Sequence, residues 1–136
     1  MHRVLILGAG KIGALVSGLL AESGSYRVRL ADVDGAAAEA VARAHASGHL
    51  DALALDATRE ADLARQLGQV DAVISSLPYY CNAAVAAAAR KAGVPVAHWL
   101  GFAARCEAKS SLSWDDPMPL PRAALHRAMQ TFRSPR

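Results

Sequence analysis

Three glycines, in the string Gly8-Ala9-Gly10-Lys11-Ile12-Gly13, stand between a short apolar run and a helically periodic segment. Val4 to Leu7 are four consecutive apolar residues, which reads as a strand covered on both faces and places the first strand at His2–Leu7. After the loop, Ile12, Leu15, Val16, Leu19 and Leu20 recur at helical spacing and predict a helix that buries those five and ends by Gly24. In a strand–loop–helix of this pattern the first glycine permits a tight turn. The second leaves no side chain where a pyrophosphate must touch backbone, and the third lets the helix pack close to the sheet. Orphan N–H groups and the positive end of the helix dipole then make an anion site that needs no basic side chain.

The same alternation continues. Tyr26 to Ala31 is a second strand ending at Asp32, and residues 36–46 are an Ala-rich helix. Leu50 to Leu55 is a third strand, Arg59 to Leu67 a third helix and Asp71 to Ser75 a fourth strand. Asn82 to Ala92 is a helix stopped by Gly93, and Val94 to Ala97 a fifth strand. Strict strand–helix order implies parallel strands with helices on both faces. The fold class is therefore α/β, a Rossmann-type doubly wound parallel sheet in a single domain over residues 1–98. Hydrophobic residues make up 53% of the chain and aromatic residues only 5%, which suits small-residue helices packed on a sheet. Beyond His98 come both tryptophans and four of the six prolines, so residues 99–136 read as an irregular C-terminal tail with one helix at Pro121 to Phe132 and no substrate domain.

Several function classes are disfavoured. The longest apolar run, Ala83 to Ala89, falls well short of the roughly 20 residues of a membrane helix, and the short Val4 to Leu7 run is unlike a secretory signal, so a cytoplasmic location is expected. Nine Lys/Arg balance nine Asp/Glu in residues 1–98, while six stand against three in residues 99–136. A modest excess in a tail argues against a nucleic-acid-binding face. Cys81 and Cys106 form no CxxC pair and the five histidines show no paired spacing, so no metal site is expected. The loop lacks the Lys-Ser/Thr of a nucleoside-triphosphatase loop.

The cofactor-binding candidates are Gly8, Gly10, Lys11, Ile12 and Gly13 around the pyrophosphate, with Asp32 and its neighbour Val33 at the end of the second strand. A carboxylate at Asp32 accepts from the adenosine ribose hydroxyls and repels a 2′-phosphate, which favours NAD while NADP stays open. Arg27 and Arg29 lie upstream on the strand, the wrong place to compensate. Asp56 and Ala57 are placed against the adenine, and Ser76, Leu77 and Pro78 beside the nicotinamide ribose, with ordinary turn chemistry the alternative for both groups. Asn82 is read equally as a helix N-cap, and no residue is named catalytic.

Three segments carry a resemblance to a known family: Val4 to Gly13 (VLILGAGKIG), Leu30 to Asp32 (LAD) and Ser76 to Asn82 (SLPYYCN). In that order over about the first 97 residues, the chain resembles the amino-terminal domain of the saccharopine dehydrogenase family, which includes lysine 6-dehydrogenase-like proteins. The resemblance implies an NAD(P)-dependent oxidoreductase acting on a C–N bond of an amino-acid-like substrate, with substrate recognition in a following domain. That family continues with an acidic, threonine-containing segment where this chain has His98-Trp99-Leu100-Gly101, so the chain is expected to be a truncated or out-of-frame form, or one half of a split enzyme. A homodimer, a separately encoded substrate-domain partner, a non-catalytic NAD(P)-binding module and a remnant associating through apolar surface are the alternatives left open.

Overall fold

Five strands alternate with four helices along the computed structural model, which describes residues 1–45 and 47–98. The strands are β1 (His2–Leu7), β2 (Tyr26–Asp32), β3 (Leu50–Ala54), β4 (Ala72–Ser75) and β5 (Val96–His98). The helices are α1 (Lys11–Glu22), α2 (Gly35–Ala44), α3 (Glu60–Leu67) and α4 (Asn82–Ala92). Cys106 and the helix expected at Pro121 to Phe132 lie outside the described residues.

All four strand pairings are parallel, and the sheet order is β3-β2-β1-β4-β5. From β1 the chain winds outward through β2 to β3, then crosses back to place β4 on the other side of β1. The direction reverses there, and in such sheets the carboxyl edge at the reversal is a crevice open to ligands.

The consecutive apolar residues of β1 are required by cover on both faces. Val4 and Ile6 join Leu20, Ala21, Val28, Leu30 and Ala38 in one core cluster, beneath α1 and α2. Leu5 and Leu7 join Leu63, Leu67, Val73, Val85 and Ala89 in the other, beneath α3 and α4. Residues such as Leu5, Ile6 and Leu30 are fully buried, each contributing about 1.5–3 kcal/mol of transfer free energy.

Helix α1 lies on the sheet by a different face from the one its hydrophobic periodicity indicates. The buried residues are Gly13, Ser17, Gly18, Leu20 and Ala21, while Leu15 is 43% exposed. Size decides the orientation: a Cβ on Gly13 would collide with the Gly8 carbonyl, and one on Gly18 with the His45 ring. Ser17 is accommodated because its hydroxyl donates back to the Gly13 carbonyl.

The fifth strand begins at Val96 rather than Val94. Gly93 takes a left-handed conformation (φ 68°), and the Val94 N–H turns back to the Ala89 carbonyl to close α4. Pro95 has no N–H to give, although its carbonyl accepts from Val73.

Candidate functional site

Gly8, at the end of β1, has φ 101°, a conformation that favours glycine. Its N–H donates to the Ala31 carbonyl at 2.8 Å, tying the start of the loop to β2. Gly10 follows as the residue preceding α1, with φ −68° and ψ −173°. That backbone is open to any L-residue, and a Cβ there would meet no protein atom within 4 Å. Neither conformation nor packing among the described residues requires a glycine at position 10.

Just beyond it, the first turn of α1 is bare. Among the described residues no side chain caps the helix, and its first turn holds no acidic residue. The helices on the neighbouring strands differ: Asp34 caps α2 by accepting from the Ala36 and Ala37 N–H groups, and Glu60 and Asp62 occupy the first turn of α3. Gly10 and Lys11 are exposed, Ile12 is half-buried and Gly13 is buried. The positive end of α1 thus lies at the carboxyl edge of the sheet with no capping side chain and no acidic first-turn residue among the described residues.

Asp32, at the end of β2, reaches the loop directly. Its Oδ2 accepts from the Ala9 N–H at 2.7 Å and its Oδ1 from the Asp34 N–H at 2.9 Å. A carboxylate has about four acceptor positions, so two bonds leave capacity for further donors. The neighbouring Val33 is 75% exposed. The two arginines of β2 are engaged elsewhere: Arg27 lies 3.5 Å from Asp51, and Arg29 donates to Gln66 and Gln69 at 3.0 and 3.1 Å.

Ser76 belongs to the same group. Its Oγ lies 2.8 Å from the Leu7 carbonyl oxygen and 3.0 Å from that of Gly8. The structure therefore brings Gly8, Gly13, Asp32 and Ser76 around one loop. Asp56 and Ala57 stand one strand further out, where the Leu55 N–H bonds the Asp32 carbonyl at 2.9 Å. The Asp56 carboxylate accepts from the Thr58 hydroxyl and N–H, which hold it below the usual carboxylate range, with Arg59 adding to the effect. Ala57 and Leu77 pack partly against the core beneath α3 and α4, and Pro78 is exposed.

A single 3₁₀ turn, Tyr79–Cys81, leads into α4. Tyr79 and Tyr80 are exposed and meet edge to face at 5.7 Å between ring centroids, and Cys81 is half-buried. Asn82 is not the N-cap. It is the first residue of α4, buried, with Oδ1 accepting from the Ser75 hydroxyl at 3.0 Å. This pair and the Ala9 contact of Asp32 were not foreseen. A serine in phase with buried Val73 on β4 was the available sign for the pair; the Ala9 contact is made by backbone and has none.

These features fit a dinucleotide: an open glycine, bare helix-start donors and an adjacent carboxylate with acceptor capacity to spare. A family model described as the saccharopine dehydrogenase NADP binding domain matches residues 4–113. Among solved structures, the chain is similar to the apo saccharopine dehydrogenase (L-Glu forming) of Saccharomyces cerevisiae, with 29% identity and a TM-score of 0.67. That match covers 75% of this chain and 23% of the yeast enzyme, so the chain spans under a quarter of that protein's length. A UDP-glucose-4-epimerase of Stenotrophomonas maltophila with bound NAD has 18% identity and a TM-score of 0.59, over 72% of this chain and 36% of that one. A Rossmann-fold NAD(P)-binding family protein of Shigella flexneri has 22% identity and a TM-score of 0.58, over 71% and 50%. The last two likenesses speak to the fold alone. No curated protein matches the chain significantly. Among the described residues no helix is long and apolar enough to cross a membrane.

Proposed function

The chain belongs to the saccharopine dehydrogenase NADP-binding domain family, and from that premise we propose that it is the NAD-binding part of an oxidoreductase acting on a C–N bond of an amino-acid-like substrate. A nicotinamide dinucleotide is the cofactor class of the family. The observation that carries the reading is Gly10, a glycine that neither backbone conformation nor packing among the described residues requires, at the mouth of a helix whose positive end is left bare. A ligand that must touch backbone there accounts for it.

In this reading the N–H groups at the start of α1 hold the pyrophosphate, with Lys11 and Ile12 beside it. Asp32 accepts from the adenosine ribose hydroxyls, next to Val33. Asp56 and Ala57 border the adenine, and Leu77 and Pro78, following Ser76, border the nicotinamide half. When bound, the cofactor supplies hydride transfer to or from the carbon attached to nitrogen, and the protein contributes binding and orientation. Substrate recognition and proton transfer fall to parts of such an enzyme outside this dinucleotide-binding unit, a proposal supported by the 23% of the yeast enzyme that the match covers. A cytoplasmic location belongs to the same proposal.

The preference for NAD over NADP is supported by the Asp32 charge and by the engagement of Arg27 and Arg29 with other partners. A 2′-phosphate beside Asp32 meets like charge, which at close range weakens binding by on the order of tenfold or more. Calorimetric titration should therefore give tighter binding for NADH than for NADPH, and Asp32→Asn should narrow the gap. Tighter NADPH binding by the wild-type chain would refute this role for Asp32.

A further inference from the structure

We infer that Ser76 is a positioning residue of the nucleotide site, acting on the glycine loop through its hydroxyl rather than by touching the nicotinamide half; this rests on the dinucleotide reading given above. Three elements converge on that oxygen. It lies 2.8 Å from the Leu7 carbonyl oxygen at the end of β1 and 3.0 Å from that of Gly8 in the loop. The Cβ positions of Gly8 and Gly13, were they occupied, would each fall 2.8 Å from it. Two of the three loop glycines thus leave room for one serine hydroxyl, and only Gly10 faces open space.

The bonding pattern indicates what the hydroxyl is for. Ser76 already donates its backbone N–H to the Leu7 carbonyl at 2.9 Å, so β4 is tied to the end of β1 without the side chain. The Gly8 carbonyl accepts from no backbone N–H among the described residues. The one hydroxyl proton is shared between the two carbonyls, and its bond to Gly8 fixes the peptide on which the rest of the loop depends.

On the opposite side, Asp32 accepts from the Ala9 N–H. The Gly8–Ala9 peptide is therefore held from both sides, its carbonyl by a donor from β4 and its N–H by an acceptor from β2. A loop fixed in advance loses less conformational freedom on binding, so its anion site is tighter without any added contact. Ser76 contributes through this pre-organisation, and its effect falls on any ligand carrying the pyrophosphate, whatever the ligand's other end.

Two ligands separate this role from direct contact. ADP contains the pyrophosphate and the adenosine but nothing of the nicotinamide half, whereas NADH contains both. Calorimetric titration of Ser76→Ala with each, at a temperature where circular dichroism shows the variant folded, should show both affinities falling by a similar factor, about three- to tenfold. Weaker NADH binding with unchanged ADP binding would assign Ser76 to the nicotinamide half and overturn the proposal. Unchanged affinity for both, with a lowered melting temperature, would make the residue merely structural and also overturn it. Should the alanine variant fail to fold, Ser76→Cys, close in size and a weak donor, is expected to show the same paired loss and is judged by the same two outcomes. If folded wild-type chain binds neither ligand, the dinucleotide reading fails and this inference fails with it, a result distinct from the others because it appears before any substitution.

Discussion

Replacing Gly10 by valine should abolish NADH binding, a loss of at least about 100-fold, in a protein that still folds. The two halves of this outcome come from different observations. Position 10 has φ −68° and empty space around its Cβ direction, so a side chain strains nothing in the chain itself. As the residue preceding α1 it has no side-chain hydrogen bond to lose, and the exchange should cost at most about 1 kcal/mol of stability. The same side chain, in the open space before the first turn of α1, is expected to keep a pyrophosphate from the N–H donors there. Gly10→Ala should show a weaker form of the same effect. Thermal melting by circular dichroism beside calorimetry with NADH checks both halves; a variant that binds NADH as the parent does would remove Gly10 from the site.

Gly13→Ala should do the opposite, damaging the fold before binding can be measured. Its added methyl group would fall on the Gly8 carbonyl oxygen, 2.9 Å from the Gly8 carbonyl carbon and 2.8 Å from the Ser76 hydroxyl. None of these neighbours yields cheaply, because Gly8 is fixed through both its flanking peptides, its N–H bonding the Ala31 carbonyl and its carbonyl accepting from Ser76. Forcing α1 away from β1 opens the core that Val4, Ile6 and Leu20 share. Overpacking of this kind costs about 3 kcal/mol or more when backbone must move. For a domain of this size the melting temperature should fall by on the order of 10–20 °C. A melting temperature within a few degrees of the parent's would show that the helix can back away freely, contrary to the packing described. The pair of substitutions separates two uses of glycine three residues apart: one clears space for a ligand, the other for the fold.

Much of this architecture is legible in the residues because burial on both faces leaves a plain mark. A strand of consecutive apolar residues such as Val4 to Leu7 has no stable place except the middle of a covered sheet. Five strands separated by helices leave few topologies open. The face of α1 was not legible for a related reason. Hydrophobic periodicity measures transfer from water, whereas the contact between α1 and the sheet is governed by volume, so Gly13, Ser17, Gly18 and Ala21 face inward while Leu15 stays exposed.

At the candidate site, the juxtaposition of the glycine loop and Asp32 is legible because strand–loop–helix order puts both at the carboxyl edge of adjacent parallel strands. Ser76 was legible only as a residue at a strand end, since the direction of its hydroxyl depends on the backbone turn that follows β4. Asn82 looked like a cap from its residue type and its place before an Ala-rich helix. It lies inside the first turn instead, because the 3₁₀ turn at Tyr79–Cys81 already supplies the helical entry and the buried Ser75 hydroxyl offers the amide a partner.

Backbone amide NMR of the ¹⁵N-labelled wild-type chain tests most directly whether a nicotinamide dinucleotide lies across residues 8–13. Titration with NADH should produce saturable shifts that are largest at the N–H groups of Gly10, Lys11, Ile12 and Gly13, with smaller ones at Val33 beside Asp32. A well-dispersed spectrum that does not change at millimolar NADH, or that changes only at residues away from the carboxyl edge of the sheet, would contradict the account.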